Sequence, residues 1–415
     1  MKKTITKLLS VALAVIMLVS TTACTSDANL ICKDFVKLNY GREDVSEEFI
    51  DMMYNFSANL FSQNLNNGQN GLVSPLSALY CLALAANGAD GNTLAEIESV
   101  LGISIDELNE SAYQFASDVY NGKGCSVSLA NSIWMKDDPL LNVNDSFLQA
   151  NADWYNADIY TSSFDNSTKN NINNWVKDNT NGMIDKIIDN IDEDTLIYLF
   201  NALAFDAEWE EKYKNSQIKD DIFSNYNGST ANISMMTSKE NKYYSYGGAV
   251  GFSKNYKGSR YSFVAILPDE SVDIYDFASS FDGDFFKNFM SSRINAAVTA
   301  QMPEFKFESQ NMDLIKSMKA MGINDMFSEY DADFSKLGSY GFNGLYVAKY
   351  FQKTYIDVSR NGTKAAAISG IGFAPKAADA PDKYYTVRLD RPFVYAIVDN
   401  QTNIPLFVGL TADLG

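Results

Sequence analysis

The chain has 415 residues, of which 46% are hydrophobic and 13% aromatic, so it can bury a large core. Its net charge of −19 disfavours binding to phosphate backbones and anionic lipid surfaces, and we expect no nucleic-acid partner. The sequence contains no histidine, which removes Ser-His-Asp catalysis, Cys-His catalysis and His-ligated metal sites. The composition predicts a globular protein without a cofactor or metal, and it argues against an enzyme.

The first 24 residues have the pattern of an export signal. Three lysines precede an apolar run that is too short for a comfortable membrane span, and small residues then lead to Cys24. The ending TAC resembles a bacterial lipobox, although Thr21 stands where such boxes usually have leucine. We predict removal of residues 1–23 and lipidation of Cys24, giving a cell-surface lipoprotein that meets the membrane only through its lipid. Plain secretion is the alternative.

Residues 24–45 show no clear periodicity and are interpreted as a tether. If Cys24 carries lipid, Cys32, Cys81 and Cys125 remain, an odd number without CxxC spacing. No disulfide framework is therefore predicted. Cys81 lies in an apolar helical run and is interpreted as a small buried hydrophobe.

From residue 46 onward no repeat or long linker divides the chain, which predicts one domain over 46–415. Helical periodicity comes first, at 46–65, 75–87, 93–100, 105–121 and 169–180. Strand-like alternation then dominates, at 196–209, 261–268, 294–309, 346–359, 384–400 and 404–412. Helices before strands, with hairpins and no regular βαβ alternation, predict an α+β fold with largely antiparallel sheets.

Blocks spaced through the whole chain resemble the serpin family. Each block is weak alone, but their order and spacing together are specific. They are NGLVSPLSALYCLALAANGADGNTLAEIESVLG (70–102), LFNALAFDAEWEEKY (199–213), AILPDE (265–270), MPEFKFES (302–309), MKAMGINDMFSEYDADFSKL (318–337), NGTKAAA (361–367) and DRPFVYAIVDNQTNIPLFVGL (390–410). The resemblance implies a serpin fold of three β-sheets and eight or nine helices, with an exposed reactive-centre loop at about 360–390.

The resemblance also implies a function for the small, glycine-rich segment 359–376. In inhibitory serpins a serine or cysteine protease attacks the loop and forms an acyl-enzyme, and the cut loop then inserts into the main sheet. We therefore expect a monomeric inhibitor whose partner is a target serine protease, held in a covalent acyl complex. The hinge that inserts would be Gly362, Thr363, Lys364, Ala365, Ala366, Ala367, Ile368 and Ser369.

Strand alternation would turn Thr363, Ala365, Ala367 and Ser369 towards the core, and all four are small. Lys364, Ala366 and Ile368 would face solvent. Proline, which removes a ladder donor, is absent until Pro375.

Other matched positions are implied to control the opening of the sheet. They are the shutter residues Ser74, Ser77 and Asn201, and Trp209 at the end where insertion starts. Gln352 stands where the family has a histidine, and an amide can still bridge as donor and acceptor. Arg360 stands where the family has an acid that pairs with a lysine, which leaves the strength of this gate open.

Counting forward in the family register gives Lys376–Ala377 as the reactive bond, which suits a trypsin-like protease. The long loop leaves a second register open. In that register the bait is Ile371, Phe373, Ala374, Ala377 or Ala378, and the target is elastase-like or subtilisin-like.

Two other functions remain as alternatives. A non-inhibitory serpin, acting as a carrier or binding module, would show bulky or proline-broken hinges, which this chain lacks. An enzyme would depend on carboxylate pairs such as Asp192 and Asp194 or Asp331 and Asp333, which are more simply solvated loop residues. The glycosylation pattern at Asn361 is discounted, because a glycan there would obstruct insertion.

Overall fold

The structure is a computed structural model, and it describes residues 28–31, 44–119, 121–192, 194–309, 312–363 and 383–415. Nine α-helices lie in this described part of the chain. They are α1 Glu47–Gln63, α2 Pro75–Ala86, α3 Gly91–Leu101, α4 Ile105–Ser117, α5 Asp145–Tyr155, α6 Asn166–Asn179, α7 Ile274–Ser279, α8 Gly283–Ser291 and α9 Ile315–Met321. This number agrees with the expected eight or nine.

The same residues form twenty strands. They are β1 Asn29–Leu30, β2 Gly71–Val73, β3 Cys125–Lys136, β4 Leu141–Val143, β5 Asp158–Ser162, β6 Ile197–Glu208, β7 Ile218–Ser224, β8 Thr230–Tyr246, β9 Ala249–Asn255, β10 Tyr261–Pro268, β11 Ile294–Pro303, β12 Phe305–Glu308, β13 Met312–Asp313, β14 Gly338–Tyr340, β15 Phe351–Gln352, β16 Tyr355–Ser359, β17 Gly362–Thr363, β18 Tyr384–Arg388, β19 Phe393–Asp399 and β20 Pro405–Thr411. Most pairs are antiparallel, as expected; the exceptions among the described strands are β3 with β5 and β11 with β18.

The strands build three main sheets. The first has the order β1-β5-β3-β6-β17-β16-β12. The other two share the long strand β8, whose first part pairs with β7 and β11 and whose last part pairs with β9. Strand β18 continues one of them beyond β11, and β10, β19, β20 and β2 continue the other beyond β9. The expected α+β fold of three sheets is confirmed.

Helix α2 is buried within the domain. Ser74 caps it by accepting a hydrogen bond from the N–H of Ser77, and Pro75 occupies the first turn, where no N–H donor is needed. Its leucines and alanines are buried on every side, as a helix that is apolar all round requires. The helix packs against β6 and β20, so it supports the middle of the seven-stranded sheet.

The two faces of β6 belong to different cores. Leu203, Phe205 and Ala207 pack into the main core, whereas Phe200 and Ala202 pack into a second cluster that includes Ile172 and Trp175 of α6. The alternation follows from the two-residue period of a strand. Helix α6 therefore covers the outer face of β6 at the level of Ala202.

Some elements escaped the sequence analysis. Strand β3 is buried on both faces along its last residues, with Ile133 in the main core and Trp134 in the second cluster, so it shows no alternation. Helix α5 buries the polar Asn151 and Asp153, which obscures its apolar stripe. Helices α7 to α9 are short, with at most 9 residues each.

Residues 28–31 of the expected tether over 24–45 lie in the described structure, where they join the sheet. Strand β1 pairs antiparallel with β5, and the N–H of Ile31 donates to the carbonyl of Ile159 at 2.8 Å. The chain therefore joins the sheet shortly after Cys24, which itself lies outside the described residues. Among the described helices, none has the length and apolar character that crossing a membrane requires.

Candidate functional site

The start of the predicted hinge is part of the seven-stranded sheet. Thr363 lies opposite Ala207 of β6 on one side and Val358 of β16 on the other. Its buried hydroxyl is 2.5 Å from the hydroxyl of Tyr256. Gly362 has φ of +151°, and a Cβ there would come within 2.1 Å of the carbonyl oxygen of Ala207. Only glycine fits this position, because any side chain would collide with the neighbouring strand.

Trp209 packs at the same end of the sheet. Its indole Nε1 donates to the carbonyl of Ser359 at 2.8 Å, and its backbone N–H donates to the carbonyl of Asn361 at 2.9 Å. Its ring stacks on Tyr256 with centroids 4.4 Å apart, and the ammonium of Lys254 lies 5.6 Å from the centroid. These contacts tie the turn before the hinge to both β6 and β9.

Arg360 forms an ion pair with Glu304, which lies between β11 and β12. The guanidinium donates from Nε to Oε1 at 2.9 Å and from Nη2 to Oε2 at 2.8 Å, and the backbone N–H of Arg360 also donates to Oε1 at 2.9 Å. These bonds hold the pKa of Glu304 below its usual range and raise the pKa of Arg360. Arg360 therefore forms a salt bridge in which the basic residue lies on the hinge side.

Ser74 and Gln352 form a buried bridge beneath the sheet. Oε1 of Gln352 accepts from the N–H of Ser74 at 2.9 Å, and Nε2 donates to the carbonyl of Ser74 at 2.8 Å. The hydroxyl of Ser74 donates to the carbonyl of Leu406 in β20 at 2.9 Å. The amide acts as both donor and acceptor, and it has no proton to lose near neutral pH.

Asn201 of β6 lies near this bridge. Its Nδ2 donates to Oδ1 of Asn131 at 2.9 Å and to the carbonyl of Ala130 at 3.3 Å. Its own Oδ1 is buried and has no hydrogen-bond partner among the described residues. The side chain of Asn201 therefore bonds to β3 and not to the Ser74–Gln352 pair. The predicted shutter residues nevertheless line one small cavity of about 40 Å³; they are Ser74, Ser77, Asn201 and Gln352.

A larger cavity, of about 760 Å³, separates β6 from segment 344–351. Its walls include apolar side chains such as Leu82, Leu199 and Val347 as well as the carboxylates of Asp192 and Glu329. Within the described residues, the only strand pairing of β6 on this side is at Ala207 and Glu208. The rest of this edge of β6 therefore has no strand partner there.

Cys81 of α2 lies at the wall of both cavities. Its thiol donates to the carbonyl of Leu199 at 3.4 Å. Desolvation raises the pKa of Cys81 to about 12, so the group stays a neutral thiol. The Cys81 side chain is half-buried, whereas the sequence predicted a buried one; Cys81 and the buried Cys125 are both free cysteines.

Most of the predicted loop lies outside the described residues. This applies to the hinge from Lys364 to Ser369, to the reactive bond Lys376–Ala377, and to every residue of the alternative register. Both ends of the segment are described. Thr363 lies in the seven-stranded sheet, and the carbonyl of Lys383 accepts a bond from Ala297 of β11 at 3.0 Å. Residues 364–382 therefore connect two different sheets.

Several groups at this site were not predicted. Glu304 and Tyr256 lie on segments distant in sequence from the hinge, so residue spacing carried no signal for them. The buried Lys254 pairs with Glu240 at 2.9 Å and lies over the ring of Tyr213. In the described part of the chain, no group of three or more Cys, Asp or Glu side chains is arranged to hold a metal ion.

The family follows from comparison with known proteins. A profile described as serpin (serine protease inhibitor) matches residues 51–414. The chain belongs to the serpin family. A solved structure of the thermophilic serpin tengpin in its native state has a TM-score of 0.86 and 40% identity, covering 93% of this serpin and 100% of tengpin. The latent state of tengpin has a TM-score of 0.80, with 39% identity over 90% of this serpin and 100% of that chain.

Curated relatives extend the comparison to named inhibitors. Human serpin B11 is 27% identical over 86% of this serpin and 97% of its own length. Serine proteinase inhibitor 1 of variola virus is 29% identical over 82% of this serpin and 91% of its own length. Intracellular coagulation inhibitor 2 of Tachypleus tridentatus is 27% identical over 96% and 97%. The family description and the name of the variola virus relative both specify serine protease inhibition, so protease inhibition is the general function that the comparisons support.

The Arg360–Glu304 pair generates a testable prediction for this serpin. Arg360→Glu sets two carboxylates together and should lower the free energy of unfolding by about 1 kcal/mol, since both groups are partly exposed and screened. The double reversal Glu304→Arg/Arg360→Glu should recover most of the loss, measured by urea unfolding. A double variant as unstable as the single one would contradict the pairing.

The same pair predicts a pH dependence. Because the folded-state pKa of Glu304 is depressed, its contribution is present above the unfolded pKa of about 4.3 and is lost as the pH falls through the folded value. Glu304→Gln should therefore cost stability at pH 7 and little at pH 3. Equal losses at both pH values would contradict this account.

Proposed function

We propose that the protein traps a serine protease by inserting its cut reactive loop between β6 and β16. The protease serine Oγ attacks the carbonyl of Lys376, the C–N bond to Ala377 breaks, and the amine leaves with a proton. Lys376 then remains as an ester on the protease. The observation that carries the proposal is the strand gap beside β6, which already holds Gly362 and Thr363 at one end.

The pairing register supports insertion along the whole of β6. Gly362 and Thr363 pair with Glu208 and Ala207, so each further loop residue would pair one residue earlier in β6. Continued in this way, Phe373 would come opposite Ile197, the first residue of β6, and Lys376 opposite Asp194, three residues before it. Thirteen residues in strand conformation span about 43 Å. Cleavage after Lys376 would thus leave a loop segment long enough to pair with the whole of β6.

Side-chain size along the loop also fits the gap. The inward positions Ala365 and Ala367 would lie opposite Phe205 and Leu203, which are tightly packed in the main core. Farther along, Ile371 and Phe373 would enter the level of the 760 Å³ cavity. The small inward residues would therefore lie where the core is tightly packed, and the large inward residues would lie where the cavity leaves space.

The outward positions need one revision. Lys364 would lie opposite Asp206, and a cross-strand pair of opposite charges is favourable. Ile368, expected to face solvent, would instead lie opposite Ala202, where α6 covers the sheet. The apolar side chain of Ile368 suits this covered position, which is shielded from water by α6.

Insertion would also be favourable in free energy. A strand of roughly ten residues gains ladder bonds on both sides, and at about 1 kcal/mol net each the gain is on the order of 10 kcal/mol. This is comparable to the whole stability of a typical domain, about 5–15 kcal/mol. The uncut protein would be native yet metastable.

A matched pair of variants tests this mechanism. Ala365→Arg would place a long charge opposite Phe205 on the core side of the sheet, so it should slow insertion and turn the inhibitor into a substrate. Lys364→Arg carries the same side chain one residue earlier, facing Asp206, and should inhibit like the unmodified protein. Both are incubated with trypsin, elastase and subtilisin, and the protease complex that survives SDS is quantified. An equal yield from the two variants would exclude insertion at this hinge.

Lys376 should supply the primary specificity. A trypsin-like pocket has a carboxylate that is left unpaired without a cationic side chain. Lys376→Ala should slow trypsin inhibition by about a hundredfold, or roughly 3 kcal/mol, and spare elastase-like targets. The peptide released from the unmodified protein should begin at Ala377. Another first residue, together with weak trypsin inhibition from the start, would favour the alternative register.

We further propose a cell-surface location through lipid on Cys24. The small residues before Cys24 and the entry of the chain into the sheet near residue 28 support a domain held close to its anchor. Labelled palmitate should be incorporated into the unmodified protein and be lost in Cys24→Ser. Incorporation that persists in the variant would rule out this anchor.

A further inference from the structure

A buried ion pair lies close to the turn that precedes the hinge. Lys254 of β9 is 3% exposed, and its Nζ lies 2.9 Å from Oε1 of Glu240 in β8. The hydroxyl of Ser238 donates to the same carboxylate oxygen at 2.6 Å, and the hydroxyl of Tyr213 lies 3.2 Å from that of Ser238. The carboxylate of Glu240 is therefore held by an ammonium and a hydroxyl.

The ammonium of Lys254 also faces two aromatic rings. Its Nζ lies 4.6 Å from the ring centroid of Tyr213 and 5.6 Å from that of Trp209. Both distances allow cation–π attraction, which is stronger for a cation removed from water. One side chain thus contacts two aromatic residues that lie four positions apart in the chain.

These two aromatic residues bind three consecutive carbonyls of the turn before the hinge. Trp209 donates from Nε1 to the carbonyl of Ser359 and from its backbone N–H to the carbonyl of Asn361. The backbone N–H of Tyr213 donates to the carbonyl of Arg360 at 3.1 Å. Strand β17, the start of the hinge, begins at the next residue. The place of the turn is therefore set by Trp209 and Tyr213.

Stability alone does not account for the ion pair. Both charges lose hydration on burial, and two apolar side chains of similar volume often stabilise a fold as well as a buried ion pair does. Apolar side chains lack direction, however. An ammonium has three N–H donors and is attracted to the faces of aromatic rings. Lys254, anchored by Glu240, can therefore fix the two rings in a way that an apolar pair cannot.

We propose that Lys254 is a positioning residue for loop insertion. Its ammonium, held by Glu240, keeps the rings of Trp209 and Tyr213 in place, and these residues keep the turn 359–361 fixed while the cut loop enters the sheet. This inference rests on the proposed function. A loose turn delays the entering strand, so water attacks the ester first. That attack frees the serine hydroxyl of the protease and leaves the cut inhibitor with a carboxylic acid.

Two neutral replacements of the pair test this role. Lys254→Met/Glu240→Met supplies apolar side chains of similar length, and Lys254→Gln/Glu240→Gln supplies two amides that can bond to each other. Both remove the cation without leaving an unpaired charge. Tyr213→Phe is the matched control, because it removes the hydroxyl that contacts Ser238 but keeps the ring and the backbone donor.

Four quantities are measured for each protein. They are stability by urea unfolding, the association rate with the protease that the unmodified protein traps best, the number of inhibitor molecules cleaved for each protease trapped, and hydrogen exchange at the amides of Trp209 and Tyr213 in the uncut protein. The first and second separate stability and initial contact from insertion. The last reports directly on the turn, since both amides donate to it.

We expect both double variants to match the stability and the association rate of the unmodified protein. They should nevertheless be cleaved about fivefold more often for each protease trapped, because slower insertion competes less well with hydrolysis. The amides of Trp209 and Tyr213 should exchange about tenfold faster. Tyr213→Phe should behave like the unmodified protein in all four measurements.

Three results would overturn the proposal. Double variants with unchanged exchange and unchanged cleavage would leave the pair without a positioning role. Lower stability in both double variants would show that the pair acts through folding. Equal losses in Tyr213→Phe would assign the effect to the hydroxyl contacts of Tyr213 and not to the cation.

Failure of the proposed function has a different result. In that case the unmodified protein traps no protease, and the part of Lys254 in trapping falls with it. Exchange at Trp209 and Tyr213 then still decides whether Lys254 positions the turn. Normal trapping by double variants with unchanged exchange removes only the role of Lys254 and leaves the inhibitory mechanism standing.

Discussion

The strand-pairing edge of β6 is the feature on which the rest of the site depends. Backbone N–H and C=O groups in the middle of a sheet require partners, and a strand that lacks them on one side can lower its free energy by pairing. Within the described residues, β6 is paired with β3 along its length but meets β17 only at Ala207 and Glu208. The sheet therefore contains a position for one more strand. Two sets of interactions, one at the hinge and one below the sheet, surround this position.

Two sets of contacts hold this region, and they differ in their chemistry. At the hinge end, Trp209 stacks on Tyr256, and Arg360 pairs with Glu304 in a partly exposed position that salt can screen. Under the sheet, Gln352 and Ser74 are joined by buried neutral hydrogen bonds, which neither salt nor pH near neutrality alters. The first set lies at the end of the sheet where Thr363 is already held between two strands. The second joins β15 to the start of helix α2.

The gap itself changes along its length. Near the hinge it is filled by Thr363 between two strands, and farther down it widens into the 760 Å³ cavity between β6 and segment 344–351. The exposed residues Tyr330 and Tyr346 line this cavity. The two ends of β6 therefore differ, with packed polar and aromatic contacts near the hinge and an open cavity at the other end. This gradient gives a direction to the insertion that we propose.

The sequence by itself determined the class of fold and the family. Those follow from blocks such as NGTKAAA at 361–367 and from strand alternation, both of which are written in neighbouring residues. It also predicted that Gln352 could bridge as donor and acceptor, because that property belongs to the amide alone. Only the tertiary structure decided that Arg360 keeps an ion pair, since Glu304 is 56 residues away in the chain. It likewise decided that residues 28–31 join the sheet, that α6 covers the level of Ala202, and that a cavity lies at the end of β6. Each of these depends on contacts between distant segments, and a pattern read along one segment carries no information about which other segment will pack against it.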